Sequence, residues 1–190
     1  MTRRILCFAG SSRKDSINKK LARYAAEQLH SMNCQATFLD LADYPLPLYD
    51  GDLEANQGVP ENAHRLKKIF QEHDGFFIAS PEHNSTYSAL LKNTIDWISR
   101  IQEPGEPPLA AFAGKVAGIA AASPGAWGGY RGLVPLRLFL SNIMITVIPQ
   151  QIAISDGFNA FDDAGNLAQA SQQKMLDSLL EALCKTCSSN

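Results

Sequence analysis

The chain lacks the marks of several protein classes, and each absence narrows what it can be. Basic residues are not in excess: 17 Lys and Arg stand against 19 Asp and Glu, a formal charge of −2, so nucleic acid is not an expected partner. No apolar run approaches the ~20 residues that a bilayer span requires. Met1-Thr2-Arg3-Arg4 has the look of a signal segment, yet the apolar stretch behind it stops at Gly10 and fits a strand better. A soluble, cytoplasmic protein is expected. The cysteines at 7, 34, 184 and 187 lack the spacing of a disulfide framework, and reduced thiols are expected. Cys184-x-x-Cys187 has no second ligand pair to make it a zinc or redox site. Internal repeats are absent. So are the nucleoside-triphosphate motif Gly-x-x-x-x-Gly-Lys-Ser/Thr and the dinucleotide motif Gly-x-Gly-x-x-Gly.

What is present is a chain of 190 residues, 45% apolar and 19% charged. That suits a single domain over 1–190, able to bury roughly 70% of its unfolded surface without metal or disulfide. Apolar runs at 4–9, 36–39, 75–79, 115–122 and 143–148 read as strands, the last stopped by Pro149. Helical spacing of apolar residues follows from Ile17, from Pro60, over 89–101, over 133–142 and over 168–187. The segment 44–58, rich in Pro, Asp and Gly, reads as a surface loop placed to help cover a site. Strands alternating with helices predict an α/β three-layer sandwich with a five-stranded parallel sheet in the order 2-1-3-4-5. Ligands in that architecture sit beyond the carboxyl ends of the strands, at the switch point between the first and third.

The unusual composition falls in the loops at those ends. Gly10-Ser11-Ser12-Arg13-Lys14-Asp15-Ser16-Ile17-Asn18 leaves a strand and enters a helix. Hydroxyls, Arg13 and the free amides of a helix start converge there, an anion cradle for a terminal phosphate. Ser16 also suits a helix cap, and the two roles are compatible. Ser80-Pro81-Glu82-His83-Asn84 ends a buried strand and offers backbone amides to a flat heterocycle, with His83 either stacking on it or lying on the surface. The loop 123–132 permits close backbone approach through its glycines, and Trp127 and Tyr130 supply stacking area or a subunit contact.

At these residues the chain closely resembles the NAD(P)H-dependent FMN reductase family of flavodoxin-like quinone, azo and metal-oxyanion reductases. The resemblance rests on Gly10-Ser11-x-Arg13-x-x-Ser16-x-Asn18-x-x-Leu21, on Ser80-Pro81-Glu82-x-Asn84 followed by Leu91-Lys92-Asn93-x-Ile95-Asp96-Trp97, and on Ala122-Ser123-Pro124-Gly125-x-x-Gly128-Gly129-x-Arg131. It implies FMN, with its phosphate held by Ser11, Arg13, Ser16, Ile17 and Asn18. The isoalloxazine would lie against Pro81, Glu82, His83 and Asn84 and against Ser123, Pro124, Gly125 and Gly128. His83 stands where the family usually has tyrosine. The implied reaction passes hydride from NADPH or NADH to flavin N5 and on to a small-molecule acceptor in a ping-pong sequence, needing no protein nucleophile and no metal. Arg131 is a candidate for attracting the dinucleotide phosphates.

The helix over 89–101 carries two apolar stripes, one of Leu91, Ile95 and Ile98 and another of Leu90, Trp97 and Ile101. One stripe suffices to pack on a sheet. A homodimer through this helix, or a tetramer, is therefore expected, as the resemblance also implies; cover by the segment 102–113 is the other way to bury the second stripe. Competing readings are a flavin-binding electron carrier or regulatory module and, remotely, a small tyrosine phosphatase using Cys7 and Arg13. The first is typically more acidic, and the second needs an exposed thiolate. A receiver domain lacks its aspartate here, and a calcium loop over 156–166 has the wrong acidic spacing.

Overall fold

Residues 3–187 are described by the structure, a computed structural model. In chain order the elements are β1 (Arg4–Ala9), α1 (Ile17–Ser31), β2 (Gln35–Leu39), α2 (Gly51–Gln57), α3 (Glu61–Gln71), β3 (Gly75–Ala79), α4 (Ala89–Arg100), β4 (Val116–Ala122), α5 (Tyr130–Asn142), β5 (Thr146–Ile154) and α6 (Ala170–Cys187). The short apolar runs become parallel strands because both of their faces are covered, and alternate residues serve opposite cores. Ile5, Cys7, Ala9, Phe77 and Ala79 pack with residues of α1 and α6. Leu6, Phe8, Phe76 and Ile78 pack with residues of α3, α4 and α5. The sheet order is β2-β1-β3-β4-β5, all parallel, with Cys7 paired to Phe38 on one side and to Phe77 on the other. This is the expected flavodoxin-like sandwich, and its switch point lies between β1 and β3.

Three elements depart from the sequence expectation. The segment read as an unstructured loop contains α2, started by the Asp50 carboxylate, which accepts from the amides of Asp52 (2.8 Å) and Leu53 (3.1 Å), and ended by Gly58 at φ +78°. It covers α4 rather than a ligand site. Trp97 Nε1 and Asn93 Nδ2 both donate to the Pro47 carbonyl at 2.8 Å, and the Tyr49 ring meets Trp97 edge-on at 5.1 Å. Trp97 and Ile101, expected to face a second subunit or the 102–113 segment, are thus buried against Leu46, Tyr49, Leu53, Val59 and Ala63 of the same chain. The two-stripe pattern is real, but its partner is intramolecular.

The last strand does not stop at Pro149. It runs on to Ile154, because the register slips between Ala117 and Ile119 and leaves unpaired residues in β5 at the proline, where no ladder N–H is needed. Arg137 of α5 serves the exposed carbonyls, donating to Ile148 O at 2.8 Å and Val147 O at 3.1 Å. Helix α5 likewise starts three residues before the expected 133, directly after Gly129 at φ +86°. Pro135 lies inside it, removing one amide from its second turn.

Candidate active site

Four loops meet at the carboxyl edge of the sheet, following β1, β3, β4 and β5. They enclose a cavity of about 420 Å³, within the range of small-ligand sites. Its first end is the turn from Gly10 into α1. Gly10 has to be glycine because a Cβ there would stand 2.5 Å from Ser88 Oγ, the cap of α4. Ser11, Ser12, Arg13, Ser16, Ile17 and Asn18 line this end. Ser16 Oγ accepts from Lys19 N at 3.4 Å and keeps its own hydrogen to donate. The first-turn amides of Ile17 and Asn18 have no intrahelical acceptor, and among the described residues no partner engages the hydroxyls of Ser11 or Ser12. The Arg13 guanidinium is propped by the Asp15 carbonyl at 2.9 Å. This donor set suits a phosphate.

Asn18 acts differently from a side-chain anion ligand. Its Nδ2 donates to Ala122 O and its Oδ1 accepts from Ala122 N, both at 2.9 Å, so the amide is engaged in fastening α1 to the end of β4. Its backbone N–H and the second hydrogen of Nδ2 are left for a ligand. A second fastening was not legible in the sequence. Lys19, nearly buried, reaches Asp40 at the end of β2 (2.8 Å) and the Ser12 carbonyl (3.3 Å), and so holds the cradle loop from behind.

The other end of the cavity is walled by Pro81, Glu82 and His83 after β3, by Ala122 at the end of β4 with Ser123 and Pro124 after it, and by Leu90 and Phe158. Asn84 is not on this wall. With Ser85 it forms the two-residue corner of a hairpin, at φ +50° and +66°, in which His83 and Thr86 exchange backbone hydrogen bonds. Asparagine tolerates that conformation well. Gly125 and Gly128 also stand back. Gly128, at φ +58°, lets the loop touch β5, for a Cβ would come within 2.6 Å of the Ile154 carbonyl carbon. Arg131 does not stand free for dinucleotide phosphates: it pairs with Glu82 at 2.8 Å and ties α5 to the loop after β3. Phe158 lies in the 156–166 stretch, weighed from the sequence only as a calcium loop and set aside. The extension of β5 to Ile154 carries it to the cavity, and only the composition of the 155–158 loop, one aromatic among small residues, hinted at it.

The cavity thus joins an anion-binding end to an end walled by Pro81, Pro124, Leu90 and Phe158 and suited to a planar ring. Cys7, the nucleophile of the phosphatase reading, is fully buried in β1 with its thiol pushed far up by desolvation, and cannot reach a ligand as thiolate.

A family profile described as NADPH-dependent FMN reductase matches residues 3–159. The chain belongs to this family. An NAD(P)H-dependent FMN reductase of Pseudomonas aeruginosa is 32% identical over 184 residues, covering 95% of this chain and 92% of that one. A quinone reductase of Pseudomonas putida is 33% identical over 164 residues, 86% and 83% of the two chains. Among solved structures, the flavoenzyme NAD(P)H:(acceptor) oxidoreductase FerB of Paracoccus denitrificans superposes with a TM-score of 0.81 at 26% identity, covering 98% of each chain. The cofactor of the family, FMN, has the two chemical ends that this cavity has.

Proposed function

We propose that the protein is an FMN-dependent oxidoreductase that takes hydride from NADPH or NADH and reduces a quinone, a flavin, an azo compound or a metal oxyanion by a ping-pong sequence. One observation carries the reading: a phosphate cradle and a ring-sized cleft are the two ends of one cavity at the switch point of the sheet. Bound FMN supplies two-electron chemistry between the nicotinamide and the acceptor. The chain's own residues bind and orient. Ser11, Ser16 and Arg13, with the amides of Ile17 and Asn18, hold the phosphate. Pro81, Glu82 and His83 and the loop at Ser123 and Pro124 hold the ring; of their backbone N–H groups that of Glu82 is left to donate to it, since His83 N is engaged by Thr86 O and Ser123 N by Ile154 O and the prolines have none. Asn84, Gly125 and Gly128 support these walls by shaping the turns behind them. Leu90 and Phe158 line the cleft beside these walls.

A non-enzymatic electron carrier is the second reading, but the near-neutral charge of −2 offers little electrostatic recognition to a protein redox partner. The enzyme acts as one cytoplasmic domain over 1–190 and as a homodimer. The dimer reading is supported by a different face from the expected one: Trp127 in the turn before α5 and Tyr130, Val134 and Leu138 along it are exposed apolar residues, with Trp127 69% and Leu138 64% accessible. Quenching of flavin fluorescence on titrating FMN with protein, followed by initial rates at varied NADPH and benzoquinone, tests the proposal. Tight binding and parallel double-reciprocal lines are expected; absence of FMN binding, or intersecting lines, overturns it.

A further inference from the structure

A second cavity, of about 330 Å³, lies beside the first on the outer side of the cradle. Arg13, Ile17 and Phe158 belong to both, so the two spaces share one wall. The outer space adds Lys14, Asp15 and Lys20, three cations with Arg13 against a single carboxylate. Among the described residues, Lys14 and Lys20 make no ion pair or side-chain hydrogen bond, which leaves a positive concavity open to an anion. Beside it stands the Phe158 ring, 72% exposed. The ring is not on a loose loop. Gly157 N donates to Ser123 O at 3.0 Å, a Cβ on Gly157 would press on Ile17 at 2.9 Å, and Asn159 N closes the turn on Asp156 O at 2.9 Å. A pinned, exposed aromatic face next to unpaired lysines is complementary to a purine carrying a phosphate monoester.

Resting on the FMN reading above, we propose that this outer cavity binds the adenosine 2′-phosphate end of NADPH, so that Lys14 and Lys20 select NADPH over NADH while the nicotinamide end enters the ring cleft past Phe158. Lys14 lies in the cradle loop and Lys20 in α1, but neither lines the first cavity, so cosubstrate choice and flavin retention are separable.

The test uses the FMN-loaded protein and two probes that differ only by the 2′-phosphate, 2′,5′-ADP and 5′-AMP, in calorimetric titrations at low and at 0.3 M salt. The proposal predicts that 2′,5′-ADP binds about tenfold or more tightly than 5′-AMP at low salt, with the advantage shrinking as salt rises. The Lys14→Ala/Lys20→Ala double variant brings the two probes to parity and cuts the NADPH-over-NADH ratio of kcat/KM through KM, with kcat and FMN affinity unchanged. Equal binding of the two probes to the unaltered protein, or a double variant that keeps the preference, overturns it. So does a double variant that loses affinity for FAD and not for 2′,5′-ADP, which would assign the cavity to the adenylate of a larger flavin. Failure of the FMN reading is scored apart, by the flavin titration itself; in that case the same probes, titrated into the flavin-free protein and its double variant, still decide the outer cavity.

Discussion

Lys19 illustrates how a single side chain supports a site it does not line. Its ammonium is held between the Asp40 carboxylate and the Ser12 carbonyl, in a place where water cannot substitute well for either. Replacing it with methionine keeps the aliphatic stem but strands Asp40 and frees the cradle. Because Asp40 retains about a quarter of its side-chain exposure, the expected loss of stability is about 2 kcal/mol, below the range for breaking a fully buried pair, together with weaker FMN retention. Urea unfolding and flavin titration of Lys19→Met measure both. Glu106 gives a pH signature elsewhere: the buried Lys67 ammonium, with the Gln71 amide, holds its carboxyl down from 4.5 to about 2. The extra stability of the native protein over Glu106→Gln is therefore complete above about pH 4.5 and disappears as the pH falls toward 2. Unfolding midpoints of the two proteins across that window check it. At this scale the cradle was legible, since Ser11, Arg13 and Ser16 are local to one turn. Lys19, Asp40 and Phe158 were not, because what matters in them is a contact across β2 or β5 that no spacing in the chain encodes.

Among the elements, the strands and their order followed from apolar runs buried on both faces, while the errors sit where a side chain overrides a local rule. Asp50 and Gly58 bracket a seven-residue helix too short to show a period, and Pro149 is accommodated by a register slip on an edge strand. The strap of residues 46–59 owes its place to Trp97, whose ring is wholly buried and whose Nε1 donates to Pro47 O at 2.8 Å. Trp97→Ala is expected to destabilise the fold by about 4 kcal/mol and to leave the Pro47 carbonyl without that donor. Hydrogen exchange should then show the amides of α2 losing protection first, before those of the sheet. Uniform loss across all elements would mean that the strap is not a separate unit.

For the whole molecule, the second stripe of α4 is satisfied within one chain, and the stripe on α5 is the surface that association would cover. Leu138→Asp, at a position 64% exposed, should leave thermal stability within about 0.5 kcal/mol and convert the protein to a monomer by sedimentation at micromolar concentration; a native protein that already sediments as a monomer would remove the dimer. The central claim is that one cavity holds FMN by its phosphate and presents its ring to two substrates in turn. Its most direct test is the visible spectrum of the FMN-loaded protein under anaerobic conditions. The account predicts that the flavin band bleaches on adding NADPH and returns in full on adding a quinone. A protein that cannot be loaded with FMN, or whose band bleaches and does not return, would contradict it.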